Sequence, residues 1–72
     1  MTESVALCVS VNGDPRSIAA GTTLETLVST LTTAHSGIAA AVNEAVVPRS
    51  RWATAALADG DRIEVLTAVQ GG

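Results

Sequence analysis

Val5-Ala6-Leu7-Cys8-Val9-Ser10-Val11-Asn12-Gly13 is the stretch that decides the fold of this 72-residue chain. Apolar residues occupy every second position before the asparagine, which is the period of a strand with one buried face. Asn12-Gly13 is then a strong hairpin signal, because both residues tolerate a positive φ. We expect Asp14-Pro15 to extend the turn and residues 16–20 to form the return strand, with Ile18 facing the core.

A helix is predicted after this hairpin. Thr22 is the expected N-cap, and Glu25 three residues later completes a capping box. The next apolar residues recur at the i, i+3, i+4, i+7 spacing of one helical face, namely Leu24, Leu27, Val28 and Leu31. The helix should end before Gly37, which suits a left-handed C-cap. We assign His35 near that end to the helix terminus and solvent.

The second half of the chain predicts three more strands. Residues 38–42 are short and apolar, and they are followed by a turn at Asn43-Glu44. Val46-Val47 forms an edge strand that Pro48 stops, since proline cannot donate to a ladder. Residues 62–67 form the last strand. The inward-facing side chains of these strands should be Ile38, Ala40, Val42, Ile63 and Val65.

Residues 49–57, between the edge strand and the last strand, are predicted to be a connecting loop with one helical turn. Trp52 is expected to be a packing anchor rather than a binding platform, and Leu57 should fill the core. A turn is predicted at Asp59-Gly60-Asp61. The order strand, strand, helix, strand, short strand, strand predicts an α+β protein with one helix packed across a mixed sheet of four to five strands. If the first and last strands pair in parallel at the centre, the fold is a β-grasp, with residues 1–72 forming one domain and residues 68–72 a flexible tail.

Composition excludes several classes of function. The chain has a net charge of −3, with four arginines and no lysine, so nothing forms the basic stripe that nucleic-acid binding needs. Cys8 is the only cysteine and His35 the only histidine, which excludes structural zinc and a disulfide framework and fits a reducing compartment. No signal peptide or membrane span is predicted, so we expect a cytoplasmic protein. No catalytic set of side chains is evident, and we expect a carrier rather than an enzyme.

The last five residues, Ala68-Val69-Gln70-Gly71-Gly72, favour a carrier role for the C-terminus. Glycine lacks Cβ and can pass through a slot that other residues would block. Five extended residues reach roughly 17 Å, enough to bring the carboxylate into the active site of another protein. Small residues also collect at termini for no functional reason, so the diglycine alone does not decide the matter.

Several motifs together resemble the ThiS family of sulfur carrier proteins of thiamine biosynthesis, which are ubiquitin-like β-grasp proteins. They are Val11-Asn12-Gly13, Thr23-Leu24 with Leu27, Val42-Asn43, Val47-Pro48-Arg49 with Trp52, Leu57 with Gly60-Asp61, Ile63-Glu64 and Ala68-Val69-Gln70-Gly71-Gly72. The resemblance covers nearly the whole chain after its first few residues. Cys8 has no role in the family that could be transferred.

The resemblance implies that Gly72 is the modified residue. A ThiF-type adenylyltransferase would use ATP to convert its carboxylate to an acyl adenylate, and sulfur from a cysteine desulfurase-derived donor would turn this into a thiocarboxylate. Thiazole synthase (ThiG) would then take the sulfur. Residues Ala68, Val69, Gln70 and Gly71 would thread into the partner sites, and the carrier itself would bind no cofactor or metal.

We also predict a docking face. Leu66, Ala39 and Ala41 should lie on the sheet face that the helix leaves open, near the root of the tail. An exposed apolar patch beside a reactive terminus is typical of a partner site.

Three alternatives stay open at this point. One is the small subunit of molybdopterin synthase, although Ala68-Val69-Gln70 favours the thiazole pathway over it. Another is a protein modifier joined to lysines through Gly72. The third is a β-grasp interaction domain with an inert tail.

Overall fold

Two hairpins joined by a central strand make up the sheet of this protein. The computed structural model describes residues 6–32 and 37–67, so the predictions for the N-terminal residues 1–5, for His35 and for the tail lie outside it. The five strands are β1 (Ala6–Val11), β2 (Asp14–Ala19), β3 (Ile38–Val42), β4 (Ala45–Val47) and β5 (Arg62–Thr67). Their order is β2-β1-β5-β3-β4. β1 and β5 pair in parallel and the other pairs are antiparallel, as the β-grasp prediction requires.

The first hairpin turns more tightly than the sequence predicts. Asn12 and Gly13 have φ angles of 51° and 89°, and these two residues alone reverse the chain. Asp14 and Pro15 already belong to β2, so the prediction that they extend the turn is wrong. The ladder loses no bond at the proline, because the N–H of its partner Ser10 points away from β2 and donates to the carbonyl of Asp61, just before β5, at 3.0 Å.

The helix α1 spans Leu24–Leu31. Its N-cap is Thr23, whose hydroxyl accepts a hydrogen bond from the Thr26 N–H at 3.3 Å. The prediction of a Thr22–Glu25 capping box is therefore wrong by one position. The Thr22 carbonyl instead accepts from the N–H of Leu57, which ties it to the connecting segment.

The C-terminal end of α1 also differs from the prediction. The last helical residue is followed by Thr32, which has a φ of −154° and an extended backbone, so Gly37 is not the C-cap. Threonine and serine are indifferent helix formers, and the threonine-rich end of this segment does not sustain the helix beyond the residues that pack on the sheet.

The core lies between α1 and the sheet. Leu24, Leu27 and Val28 of the predicted stripe are buried, and Leu31 packs half-buried at its edge. The complete set of buried apolar residues in the described chain is Val9, Val11, Leu24, Leu27, Val28, Ala40, Trp52, Leu57, Ile63 and Val65. Ile18, Ile38 and Val42 pack against this core. The predicted inward faces of the strands are therefore confirmed.

A 3₁₀ helix, Arg49–Thr54, connects β4 to the segment before β5. Trp52 is buried, and its indole N–H donates a hydrogen bond to the Val47 carbonyl at 2.8 Å. The guanidinium of Arg49 lies 4.9 Å from the centre of the indole ring. The packing role predicted for Trp52 is confirmed, as is the burial of Leu57.

Candidate functional site

The predicted reactive residue Gly72 and the tail residues Ala68, Val69, Gln70 and Gly71 lie outside the described part of the chain. The described chain reaches Thr67, the last residue of β5. The roles of the five tail residues therefore stay predictions. The structure describes β5, which leads to these residues, and the face of the sheet beside it.

The open face of the sheet is the surface on the side away from α1. Along β5, Ile63 and Val65 point into the core, and Leu66 points the other way with 70% of its surface exposed. In the register of β3 with β5, Ala39 lies opposite Leu66 and Ala41 opposite Glu64. The three residues predicted to form a docking face are thus neighbours on this open face, and their docking role stays a prediction.

Val46 extends this surface across β3. It pairs with Ala41 and is 76% exposed, so the two most exposed large apolar side chains of the described residues share one face. On this open face, β3, β4 and β5 form a shallow depression of about 280 Å³. Its lining residues are Ala39, Ala40, Ala41, Glu44, Val46, Glu64 and Leu66. The small alanines form its floor because they leave room between the larger side chains on either side.

Two carboxylates lie at the margin of the depression. Glu44 pairs with Arg62 at 3.0 Å, and Glu64 lies on the β5 side. Both members of the ion pair are more than half exposed, so the pair contributes little to stability. Because Arg62 balances the charge of Glu44, Glu64 is the side chain that leaves the margin of the depression acidic, on the β5 side. Sequence reasoning did not include Val46 or the glutamates; the strand phase of residues 45–47 was the signal that could have found Val46.

Two asparagine side chains hold β5 from its two sides. Asn12, at the corner of the first hairpin, bonds to both backbone groups of Val65. Asn43, at the corner of the second hairpin, accepts from the Arg62 N–H and donates to the Asp61 carboxylate, each at 3.0 Å. Sequence reasoning placed both asparagines in turns and in the motifs of the family resemblance, but it predicted neither set of contacts, because the spacing along the chain gives no sign of them.

Cys8 is exposed on β1, as its strand phase predicts. Its backbone N–H donates to the Asp59 carboxylate and its carbonyl accepts from the Gly60 N–H, both at 2.7 Å, which fixes the turn before β5. Among the described residues, no three histidine, cysteine or acidic side chains cluster as metal ligands would. The one α-helix described, eight residues long, falls well short of what a bilayer crossing requires.

The strand order, the single helix and the parallel central pair define a ubiquitin-like β-grasp protein. The sequence model of the ThiS family matches residues 9–72. The chain is 36% identical over 61 residues to the sulfur carrier protein ThiS of Escherichia coli K12, which covers 85% of this chain and 92% of that protein. The crystal structure of the thiamine biosynthesis protein ThiS from Geobacter metallireducens is 28% identical, with a TM-score of 0.75, and covers 92% of this chain and all of its own. The chain therefore belongs to the ThiS family, whose members are small sulfur carrier proteins of thiamine biosynthesis.

The chain is also similar to part of two longer proteins. It is 39% identical over 64 residues to a thiazole synthase of Magnetococcus marinus, which covers 89% of this chain but only 20% of that protein. A thiazole synthase of Paramagnetospirillum magneticum is 34% identical over 62 residues, covering 86% of this chain and 19% of its own length. The chain thus spans about one fifth of each of these proteins.

Proposed function

We propose that this chain carries sulfur as a thiocarboxylate on Gly72 and delivers it to a thiazole synthase. The observation that carries the proposal is the extent of the family match, which runs through residue 72 and so includes Gln70-Gly71-Gly72.

The chemistry at Gly72 needs activation by a partner enzyme. A carboxylate is ionised at neutral pH and is a poor electrophile. A ThiF-type adenylyltransferase joins it to the α-phosphate of ATP with release of pyrophosphate. The terminal sulfur of a persulfide on a cysteine desulfurase-derived donor then displaces AMP to give an acyl disulfide. A thiol reduces this acyl disulfide, which releases the thiocarboxylate and leaves the donor sulfur and the thiol joined as a disulfide. The carrier acts as a co-substrate and contributes no catalytic group of its own.

Thiazole synthase is the acceptor that the comparisons favour. Two thiazole synthases each contain a stretch similar to this chain within one longer polypeptide. Two activities that share one polypeptide in some organisms are candidates to meet as separate proteins in others. This supports a functional contact between the present chain and a separate thiazole synthase.

The open face is the surface that we expect to make such a contact. Leu66 lies two positions before Ala68, and its exposed side chain faces away from the core beside Ala39. From the end of β5 the last five residues reach roughly 17 Å when extended. A partner that binds the open face should therefore have its reactive site within about that distance of the contact.

The test is a mass measurement on the intact chain. Incubation with a ThiF-type adenylyltransferase, ATP and sulfide should add the mass difference between a sulfur and an oxygen atom, and fragmentation should place it on Gly72. Two altered tails serve as controls, one lacking Gly72 and one with a single alanine added after it. Transfer needs the reacting atoms about 3–3.5 Å apart. One residue moves the carboxylate by roughly 3.3–3.6 Å, so neither altered tail should be converted although both should melt like the wild type.

The outcomes separate the alternatives. Conversion of either altered tail would mean that the diglycine is not the reactive site. No conversion of the wild type would favour an inert tail. High-mass conjugates of the chain in cell extracts would identify a protein modifier instead.

A further inference from the structure

The parallel ladder between β1 and β5 ends where the first hairpin turns away. Its last strand pair is Val11 with Ile63, and the Asn12 N–H then donates to the Ile63 carbonyl at 2.9 Å. At Asn12 the backbone enters the left-handed region, with a φ of 51°, and the chain leaves β5. The next bonds of the ladder would need backbone groups of β1 that are no longer beside β5.

The side-chain amide of Asn12 takes the place of those backbone groups. Its Oδ1 accepts from the Val65 N–H at 2.9 Å, and its Nδ2 donates to the Val65 carbonyl at 3.2 Å. A carboxamide carries the same donor and acceptor as a peptide group, so it continues the ladder after the main chain has turned. On its other side β5 pairs with β3 as far as Thr67. β5 is therefore held from both sides at Val65, three positions before the tail.

From this geometry we infer that Asn12 is a positioning residue for the reaction at Gly72, an inference that rests on the function proposed above. The Asn12–Val65 bonds hold the end of β5 in the sheet and so fix the place from which the last five residues start. Without them the end of β5 has one neighbour instead of two, and the carboxylate starts from a wider range of positions. A smaller fraction of the bound complexes then holds the Gly72 carboxylate in line with the α-phosphate of ATP. This lowers kcat and leaves the affinity of docking unchanged.

Asn43 provides a matched control within the same chain. It also has a left-handed backbone, with a φ of 53°, and it also stands at the first position of a hairpin turn. Its amide bonds to the Arg62 N–H, at the opposite end of β5 from the tail. Each amide makes two hydrogen bonds, which are part-buried for Asn12 and exposed for Asn43, so the loss of either amide should weaken the fold. Only Asn12 lies where the strand leads into the tail.

The experiment compares Asn12→Gly with Asn43→Gly. Glycine adopts a positive φ readily, so each turn is kept and only the amide is removed. Hydrogen exchange of the Val65 amide should become faster in Asn12→Gly and stay unchanged in Asn43→Gly, apart from any effect of global stability. With a ThiF-type adenylyltransferase, ATP and sulfide, kcat for Asn12→Gly should fall by about fivefold or more at unchanged KM, because small misplacements of reacting groups cost large factors in rate. Asn43→Gly should stay within about twofold of the wild type in both constants.

A second variant keeps the test valid if Asn12→Gly does not fold. Asn12→Asp tolerates the same backbone and retains the acceptor for the Val65 N–H, but it places a carboxylate oxygen against the Val65 carbonyl. Its kcat should also fall at unchanged KM.

The possible results are distinct. If the wild type is not converted, the proposed function fails and the inference fails with it. If the wild type is converted and the two glycine variants have the same kcat, Asn12 has only a structural role and the inference alone is overturned. A raised KM with unchanged kcat would place Asn12 in docking, which also overturns it.

Discussion

Leu66 offers the sharpest test of the open face, because the fold leaves 70% of this large apolar side chain exposed. Leu66→Glu places a charge within the apolar surface beside Ala39. We expect the variant to fold normally, since surface substitutions change the free energy of unfolding by no more than about 0.5 kcal/mol. We expect it to lose adenylation, because a partner that covers this position would have to remove water from a carboxylate.

The size of the effect follows from the exposed fraction of the leucine. Complete burial of a leucine side chain contributes about 1.5–3 kcal/mol. Because 70% of the surface is still available for a partner to cover, docking there gains about 1–2 kcal/mol. That free energy corresponds to about 5–30-fold in affinity. Leu66→Ala should lose most of this factor, and Leu66→Glu should exceed about 30-fold because the cost of burying the charge is added.

The assay measures kcat and KM of adenylation with each variant as the varied substrate, and the loss should appear in KM. Ser29→Glu is the control, since it adds the same charge at an exposed position of α1, on the other side of the sheet. Urea denaturation of all variants checks that they are folded. If Leu66→Glu has a KM within about twofold of the Ser29→Glu value, the open face does not bind the adenylyltransferase, and the reasoning from exposure is refuted.

Two further predictions concern the stability of the fold. Leu27→Ala should lower the free energy of unfolding by about 2–5 kcal/mol, because Leu27 is 3% exposed and its removal leaves a cavity between helix and sheet; a loss below about 0.5 kcal/mol in urea denaturation would contradict the assigned core. Trp52→Phe should cost about 1–3 kcal/mol in the same measurement, since it removes the 2.8 Å bond to the Val47 carbonyl and part of the buried ring. An unchanged midpoint would show that this bond and the lost ring volume contribute nothing to stability.

The sequence predicts most of the fold because its strands and helix have clear periods. The alternation in β1 and the inward positions Ile63 and Val65 follow from burial of one face of a strand, since a slip of one residue would turn these side chains to the other face. The stripe through Leu24 and Leu27 follows from the 3.6-residue period of a helix. The order of the elements allows a parallel central pair but does not require it, so this pairing entered the prediction as a condition, which the structure meets.

The errors occur where local signals compete. Thr22 and Thr23 are equally good N-caps by residue type, and the choice between them is made by the backbone bond from Leu57 to Thr22, which no local pattern reveals. Pro15 suits a turn by residue type, yet it fits β2 because the N–H of its partner Ser10 bonds to the Asp61 carbonyl, on the side away from β2.

Part of the candidate site could likewise be predicted from the sequence, and part could not. The positions of Leu66, Ala39 and Ala41 on one face follow from strand phase and could be predicted. The contact between Asn12 and Val65 joins residues 53 positions apart, and it depends on where the hairpin turns relative to β5. Only the assembled sheet brings these two residues together.

β5 is the last strand in the chain and yet the middle strand of the sheet. The hairpins β1–β2 and β3–β4 share no ladder in the part of the chain that the structure describes, and each pairs with β5 instead. An isolated hairpin is marginally stable in water at best, so a chain that stops before Arg62 has little to fold around. Folding during synthesis must therefore wait for β5, and the pairing of β1 with β5 must bridge most of the chain. Every molecule that completes folding then already has the strand from which residues 68–72 follow.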